Sequence, residues 1–128
     1  YDGPSLIIAY SHCIAHGIDM QKGLSHQKAA VESGYWPIYR YDPRLSAKGQ
    51  NPFQLDCRQP SSPLGDYLYS EARFRILQQS DKPAADRLLE LAEQDKQARW
   101  KLYEKMLNRE ISSREALAVS AAGLPVKG

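Results

Sequence analysis

The sequence predicts an α/β front followed by an all-helical back, and three observations predict it. An apolar run from Leu6 to Tyr10, introduced by Gly3-Pro4, has the unbroken hydrophobicity of a strand buried on both faces, as in a parallel sheet. Strand, loop, helix and strand then succeed one another as far as Tyr41, the order of a right-handed β-α-β crossover. From Ala84 to about Arg109, Leu88, Leu91, Ala92, Ala98, Leu102 and Met106 recur at helical spacing between charged residues.

The Leu6–Tyr10 run ends in Ser11-His12-Cys13-Ile14-Ala15-His16-Gly17, a polar cluster that the strand would carry at its carboxyl end. Gly17 to Leu24 is a loop with a glycine near each end. Ser25 is placed as an N-cap, with a short helix over Gln27–Ser33 that turns Ala29, Ala30 and Val31 inward and stops at Gly34 in the C′ position. The aromatic, β-rich stretch Tyr35–Tyr41 is the next strand, with Pro37 near its start where a missing N–H is tolerated. Asp42-Pro43-Arg44 closes it, and 48–52 turns the chain into a short strand over Phe53–Asp56, an antiparallel excursion at the sheet edge. Ser62-Pro63 supplies an N-cap and first-turn proline for a helix to about Gln79 whose broad apolar face includes Leu64, Tyr67, Leu68, Phe74 and Leu77. Ser80–Pro83 interrupts it before the long helix, whose charge run is assigned to solvent. A last helix is predicted from the capping box Ser112-x-x-Glu115 to Gly123 and Pro125.

A chain of 128 residues fits one domain. Its 17 Lys and Arg against 15 Asp and Glu leave a formal charge of +2, too even to make nucleic acid or an anionic membrane the main partner. No apolar stretch approaches the roughly 20 residues of a membrane span, and no signal-peptide pattern opens the chain. Two cysteines, Cys13 and Cys57, cannot staple a fold of this size, so a reducing cytoplasm is the default compartment. Opening on Tyr1, with a strand expected within about five residues, the chain looks like an excised piece of a longer polypeptide.

Ligands of open α/β sheets bind beyond the carboxyl ends of the strands, which makes His12, Cys13 and His16 a candidate site. The competing assignment is a buried free cysteine with two loop histidines. Cys13-x-x-His16 has metal-ligand spacing, but a zinc site needs further ligands, and Cys57 and His26 lie on separate elements. A nucleophile pair would need an oxyanion hole and an orienting residue that the sequence does not identify. An iron–sulfur cluster takes Cys thiolates, commonly four, so one Cys at a strand end is at most one corner of a site completed elsewhere. There is no G-x-G-x-x-G, Walker loop, G-x-S-x-G elbow or C-x-x-C. Asp42 and Asp56 are read as loop-capping carboxylates, and Arg40 and Arg44 as members of internal ion pairs.

The wording of Tyr1–Met20, Gln27–Val31, Gly34–Leu45 and Asn51–Asp56 closely resembles the carboxy-terminal part of the pyruvate:ferredoxin (flavodoxin) oxidoreductases. The resemblance implies the last portion of a thiamine-diphosphate-binding domain: a partial parallel sheet in 1–57, carrying a cluster-ligand loop, followed by a helical carboxy-terminal segment in 58–128. It implies a parent enzyme, homodimeric, that decarboxylates pyruvate on thiamine diphosphate with Mg2+. Coenzyme A takes up the fragment as acetyl-CoA, CO2 is released, and electrons pass through 4Fe–4S clusters to ferredoxin or flavodoxin.

The same resemblance places Cys13 as the sequence-distant fourth ligand of the cluster nearest the thiamine. His12 and His16 then serve as hydrogen-bonding or shielding neighbours, and Cys57 as a spectator. No catalytic or thiamine-binding residue maps onto this stretch. The Gly-Asp-Gly diphosphate signature, the upstream cluster cysteines and the C-x-x-C repeats are absent, and so is the long carboxy-terminal extension of some relatives; the chain alone is expected to be inactive. Two other classes stay open: a noncatalytic interaction module with Cys13 merely buried, and a small zinc protein using His12, Cys13 and His16.

Overall fold

The computed structural model describes residues 3–110, 112, 117 and 118. The fold is mixed α/β but mostly helical, with a small antiparallel sheet of two strands. Its elements are α1 (Gly23–Glu32), β1 (Tyr39–Tyr41), α2 (Arg44–Ala47), β2 (Phe53–Leu55), α3 (Leu64–Leu68), α4 (Ala72–Ser80) and α5 (Lys82–Leu107). Short 3-10 turns at Ile14–His16 and Met20–Lys22 precede α1.

The expected strand over Leu6–Tyr10 does not form, and with it the parallel sheet and the β-α-β crossover are absent among the described residues. Leu6 and Ile7 are 84% and 88% exposed. A strand buried on both faces needs a neighbour on each side to take its N–H and C=O groups and two layers to cover its side chains; no described segment supplies them. The edge excursion does form. β1 and β2 pair antiparallel with Tyr39 opposite Leu55 and Tyr41 opposite Phe53, and a bidentate Arg40–Asp56 pair at 2.7 and 2.8 Å closes one end.

Helix α1 starts earlier than its proposed Ser25 cap, and Ser25 instead donates its hydroxyl to the Lys22 carbonyl. Its end is as expected: Gly34 takes φ +74° and donates to the Val31 carbonyl, the left-handed C′ geometry that favours glycine. The single helix expected over 63–79 is two, α3 and α4, divided at Tyr69-Ser70-Glu71. Glu71 has an extended backbone, φ −98° and ψ 132°, which stops the i,i+4 ladder there, and its side chain is turned inward with no exposed surface.

The α3 cap also differs from expectation. No Ser62 side-chain cap forms; the Leu64 N–H is taken by Glu93 Oε1 of α5 at 3.1 Å. Asp81 caps α5 by accepting from the Ala84 N–H at 3.0 Å, and Pro83 sits in its first turn.

The core is small. Ala30, Leu64, Tyr67 and Leu68 are buried together, with Tyr10, Tyr35, Trp36, Phe74, Leu89 and Ala92 packed around them. A second aromatic group, Tyr39, Phe53 and Tyr103, joins the sheet to α5 with ring centroids 5.3 to 6.0 Å apart. The α5 charge run is not wholly solvated: besides Glu93, Arg99 donates to the Gly34 carbonyl at 3.1 Å. Most of the helix predicted after Ser112 lies outside the described residues. No helix among the described residues is long and apolar enough to cross a membrane.

Candidate functional site

Cys13 stands at the start of the Ile14–His16 turn in an extended conformation, φ −138° and ψ 141°, and its carbonyl accepts the His16 N–H at 2.9 Å. Its thiol is free and exposed. That overturns the buried-cysteine assignment, while the site lies on a turn after an irregular segment instead of at a strand tip. His12 and His16 flank it with Nδ1 atoms that are buried and have no hydrogen-bond partner. Among the described residues, no group of three His, Cys, Asp or Glu is gathered so as to hold a metal ion, so His12, Cys13 and His16 are not assembled as a zinc site. The accessible Cys13 thiol is a single soft donor, and a metal centre that used it would need its other ligands from outside the described residues.

Two attachments hold the turn. The His12 ring packs so closely on Gly23, the first residue of α1, that any Cβ there would collide with it. At the other end Gly17, with φ +70°, passes its carbonyl to the Ala72 N–H at 3.1 Å and lies where a side chain would overlap Ala72 Cβ.

Behind the turn is a polar node that the sequence did not disclose. Glu71 Oε1 lies 2.9 Å from His26 Nε2 and 3.7 Å from His16 Nδ1, and it accepts from the Tyr67 hydroxyl at 3.2 Å. Arg73 Nε donates to the other oxygen. The Tyr10 and Tyr67 hydroxyls are 2.8 Å apart, His26 stacks on Tyr67 at 4.8 Å, and Ser70 Oγ sits 3.2 Å from His26 Nδ1. Burial on its own pushes the Glu71 carboxyl upward, but the bonds from His26 and Arg73 outweigh it and hold the group below the ordinary glutamate range. Burial, and then the hydroxyl pairing with Tyr10, push the Tyr67 phenol far above its ordinary value.

His26 entered the sequence reading only as a distant zinc candidate, and Glu71 not at all. A glutamate inside a helical pattern carries no local mark of burial. The nearest hint was the i,i+4 spacing of Tyr67 and Glu71, with Arg73 two residues on. Cys57 accepts the Ile38 N–H through Sγ at 3.3 Å, and so braces the start of β1. Asp42 and Asp56 pair with Arg44 and Arg40, as the ion-pair assignment expected, and each carboxyl is held below its usual range by that guanidinium. A cleft of about 320 Å³ opens between Tyr10, Trp36 and α5, lined also by Asp95 and Arg99; Cys13 does not line it.

No protein-family model matches the chain. It is 50% identical over 109 residues, 85% of its length, to a pyruvate-flavodoxin oxidoreductase of Nostoc sp.. It is 54% identical over 106 residues, 83% of its length, to one of Rhodospirillum rubrum. To a pyruvate:ferredoxin oxidoreductase of Moorella thermoacetica it is 47% identical over 106 residues, again 83% of its length. In each comparison the chain spans 9% of the relative's length.

Proposed function

We infer that this chain, which is homologous to a segment of the pyruvate-flavodoxin and pyruvate:ferredoxin oxidoreductases, works as the corresponding part of a 2-oxoacid oxidoreductase and contributes Cys13 to one of its 4Fe–4S clusters. The observation that carries the inference is the free, exposed Cys13 thiol on a turn fixed at both ends, within a segment about half identical to those enzymes. A thiolate so placed binds iron without desolvating a buried cavity first, and a rigid turn limits the rearrangement that binding requires.

In the parent, thiamine diphosphate with Mg2+ would supply the decarboxylation chemistry and 4Fe–4S clusters the one-electron path toward ferredoxin or flavodoxin, and Cys13 is the residue of this chain that would hold such a cluster. This chain's own residues do less. Cys13 offers its thiolate, and the flanking His12 and His16 offer a hydrogen bond to sulfur or shield it from water, the Nδ1 atom of His16 being turned toward Glu71. The exposed Leu6–Ile8 segment adjoins the remainder of the polypeptide, as a strand of its thiamine-binding sheet. Pyruvate and coenzyme A bind outside this stretch, the parent is a cytoplasmic homodimer, and the chain by itself is inactive.

Replacing Cys13 by Ser in the full-length parent is expected to lower iron and sulfide content by one cluster and to slow electron exit. Cys57→Ser should change neither. Unaltered cluster content in the Cys13→Ser enzyme would reject the assignment.

A further inference from the structure

We propose that Glu71 is the positioning residue of the Cys13 turn: its buried carboxylate fixes the spacing between the two supports that hold the turn, and thereby the direction in which Cys13 presents its thiol. The role rests on the assignment of Cys13 as a cluster ligand.

The first support is the start of α1, against which the His12 ring packs. The second is the start of α4, where the Ala72 N–H meets the Gly17 carbonyl. Glu71 is the residue before Ala72, and it reaches from there to His26 in α1 and Tyr67 in α3, so one carboxylate links both supports through hydrogen bonds of 2.9 and 3.2 Å. It also faces the turn directly, with His16 Nδ1 at 3.7 Å.

His26 in turn stands edge-on to His12, 6.4 Å between ring centres, so the node touches the turn from both sides of Cys13. Packing alone would fix these elements only loosely, because Cys13, Ile14 and Ala15 are exposed and bury little area. Directional, charge-assisted bonds to a group with no exposed surface supply the missing constraint. Arg73, on the far oxygen, balances the charge and leaves Oε1 for His26, Tyr67 and His16 of the turn itself.

The test is made in the full-length parent enzyme with Glu71→Ala, Glu71→Gln and Tyr67→Phe beside Cys13→Ser. The readouts are iron and sulfide content, the low-temperature paramagnetic resonance spectrum of the reduced clusters, and their reduction midpoints. Glu71→Ala is expected to alter the spectrum and midpoint of the cluster that Cys13 ligates and to leave the other clusters as they were. Glu71→Gln keeps an acceptor oxygen toward His26 and Tyr67 and should bring that signature back toward the parent's. Tyr67→Phe removes one of the bonds and should give a smaller change of the same kind, even if Glu71→Ala fails to fold.

If Cys13→Ser removes the cluster while Glu71→Ala and Tyr67→Phe leave its signature unmoved, the positioning role falls and the ligand assignment stands. A uniform loss of all clusters, in step with lowered thermal stability in both variants, would make Glu71 a general structural residue and overturn the role. If Cys13→Ser leaves every cluster intact, the ligand assignment and the role fall together.

Discussion

A carboxylate removed from water is tolerated only when its lone pairs are taken by donors, because an unpaired buried charge costs several kcal/mol. Glu71 meets that condition with donors on α1, α3 and α4 and with His16 of the turn close by. Its carboxyl is therefore held below the ordinary glutamate range, and the sign of its effect on stability follows. A lowered folded-state value means that the unfolded chain binds the proton first as pH falls. The contribution is thus complete above the unfolded value, about 4.3, and is lost as pH drops through the lower folded value. Groups facing it from the packed elements are His16, His26, Tyr67 and Arg73. Urea midpoints followed from neutrality into that acid range should fall steeply in the native sequence and less steeply in Glu71→Gln, which has no proton to take up. Equal slopes for the two would mean that the carboxylate does not carry this linkage.

At the scale of elements, the helices whose limits are set by nearby residues were legible and those set by distant ones were not. Asp81 and Pro83 fix the start of α5 within one turn, and its leucine spacing fixes its course. Gly34 likewise ends α1 by its own backbone freedom. The break between α3 and α4 has no such local mark: Tyr67, Leu68 and Phe74 continue a helical stripe across it, and it is the extended backbone of Glu71, whose carboxylate bonds to residues of α1, α3 and α4, that interrupts it. Long-range caps were hidden for the same reason. Asn51 Nδ2 donates to the Met106 and Leu107 carbonyls at 2.7 and 2.9 Å and so caps the end of α5 from another element. Glu93 does the same for the start of α3. Glu93→Ala should cost about 1 kcal/mol, the usual worth of an N-cap, whereas Glu93→Gln, which keeps an acceptor oxygen, should cost less. Chemical denaturation of the two variants separates them, and equal losses would assign the effect to the Glu93 charge and its Lys96 partner instead of to the cap.

For the molecule as a whole, the misplaced parallel sheet and the correctly placed edge hairpin have one explanation. The hairpin's partners lie 14 residues apart at their centres, Arg40 against Gln54, so the short stretch of sequence between them already contains what it needs. The Leu6–Tyr10 run announces burial without naming what buries it, and the described residues offer no partner strand. Its hydrophobicity is nonetheless real and faces water: Leu6, Ile7 and Ile8 are exposed together, with Ile14 and Leu24 also exposed. Contiguous apolar surface of this kind, joined to backbone groups without ladder partners, favours association with other copies. By itself the chain is expected to scatter light as oligomers whose mass rises with concentration, and Leu6→Lys with Ile7→Lys should return it toward the monomer. Leu102, on the half-exposed stripe of α5, is the control, since Leu102→Lys removes exposed apolar surface from a helix whose backbone bonds are already made. If the Leu102 variant disperses the oligomers and the Leu6 and Ile7 variant does not, the helix and not the amino-terminal segment is the surface that mates. A chain that stays monomeric at every concentration would show that neither does.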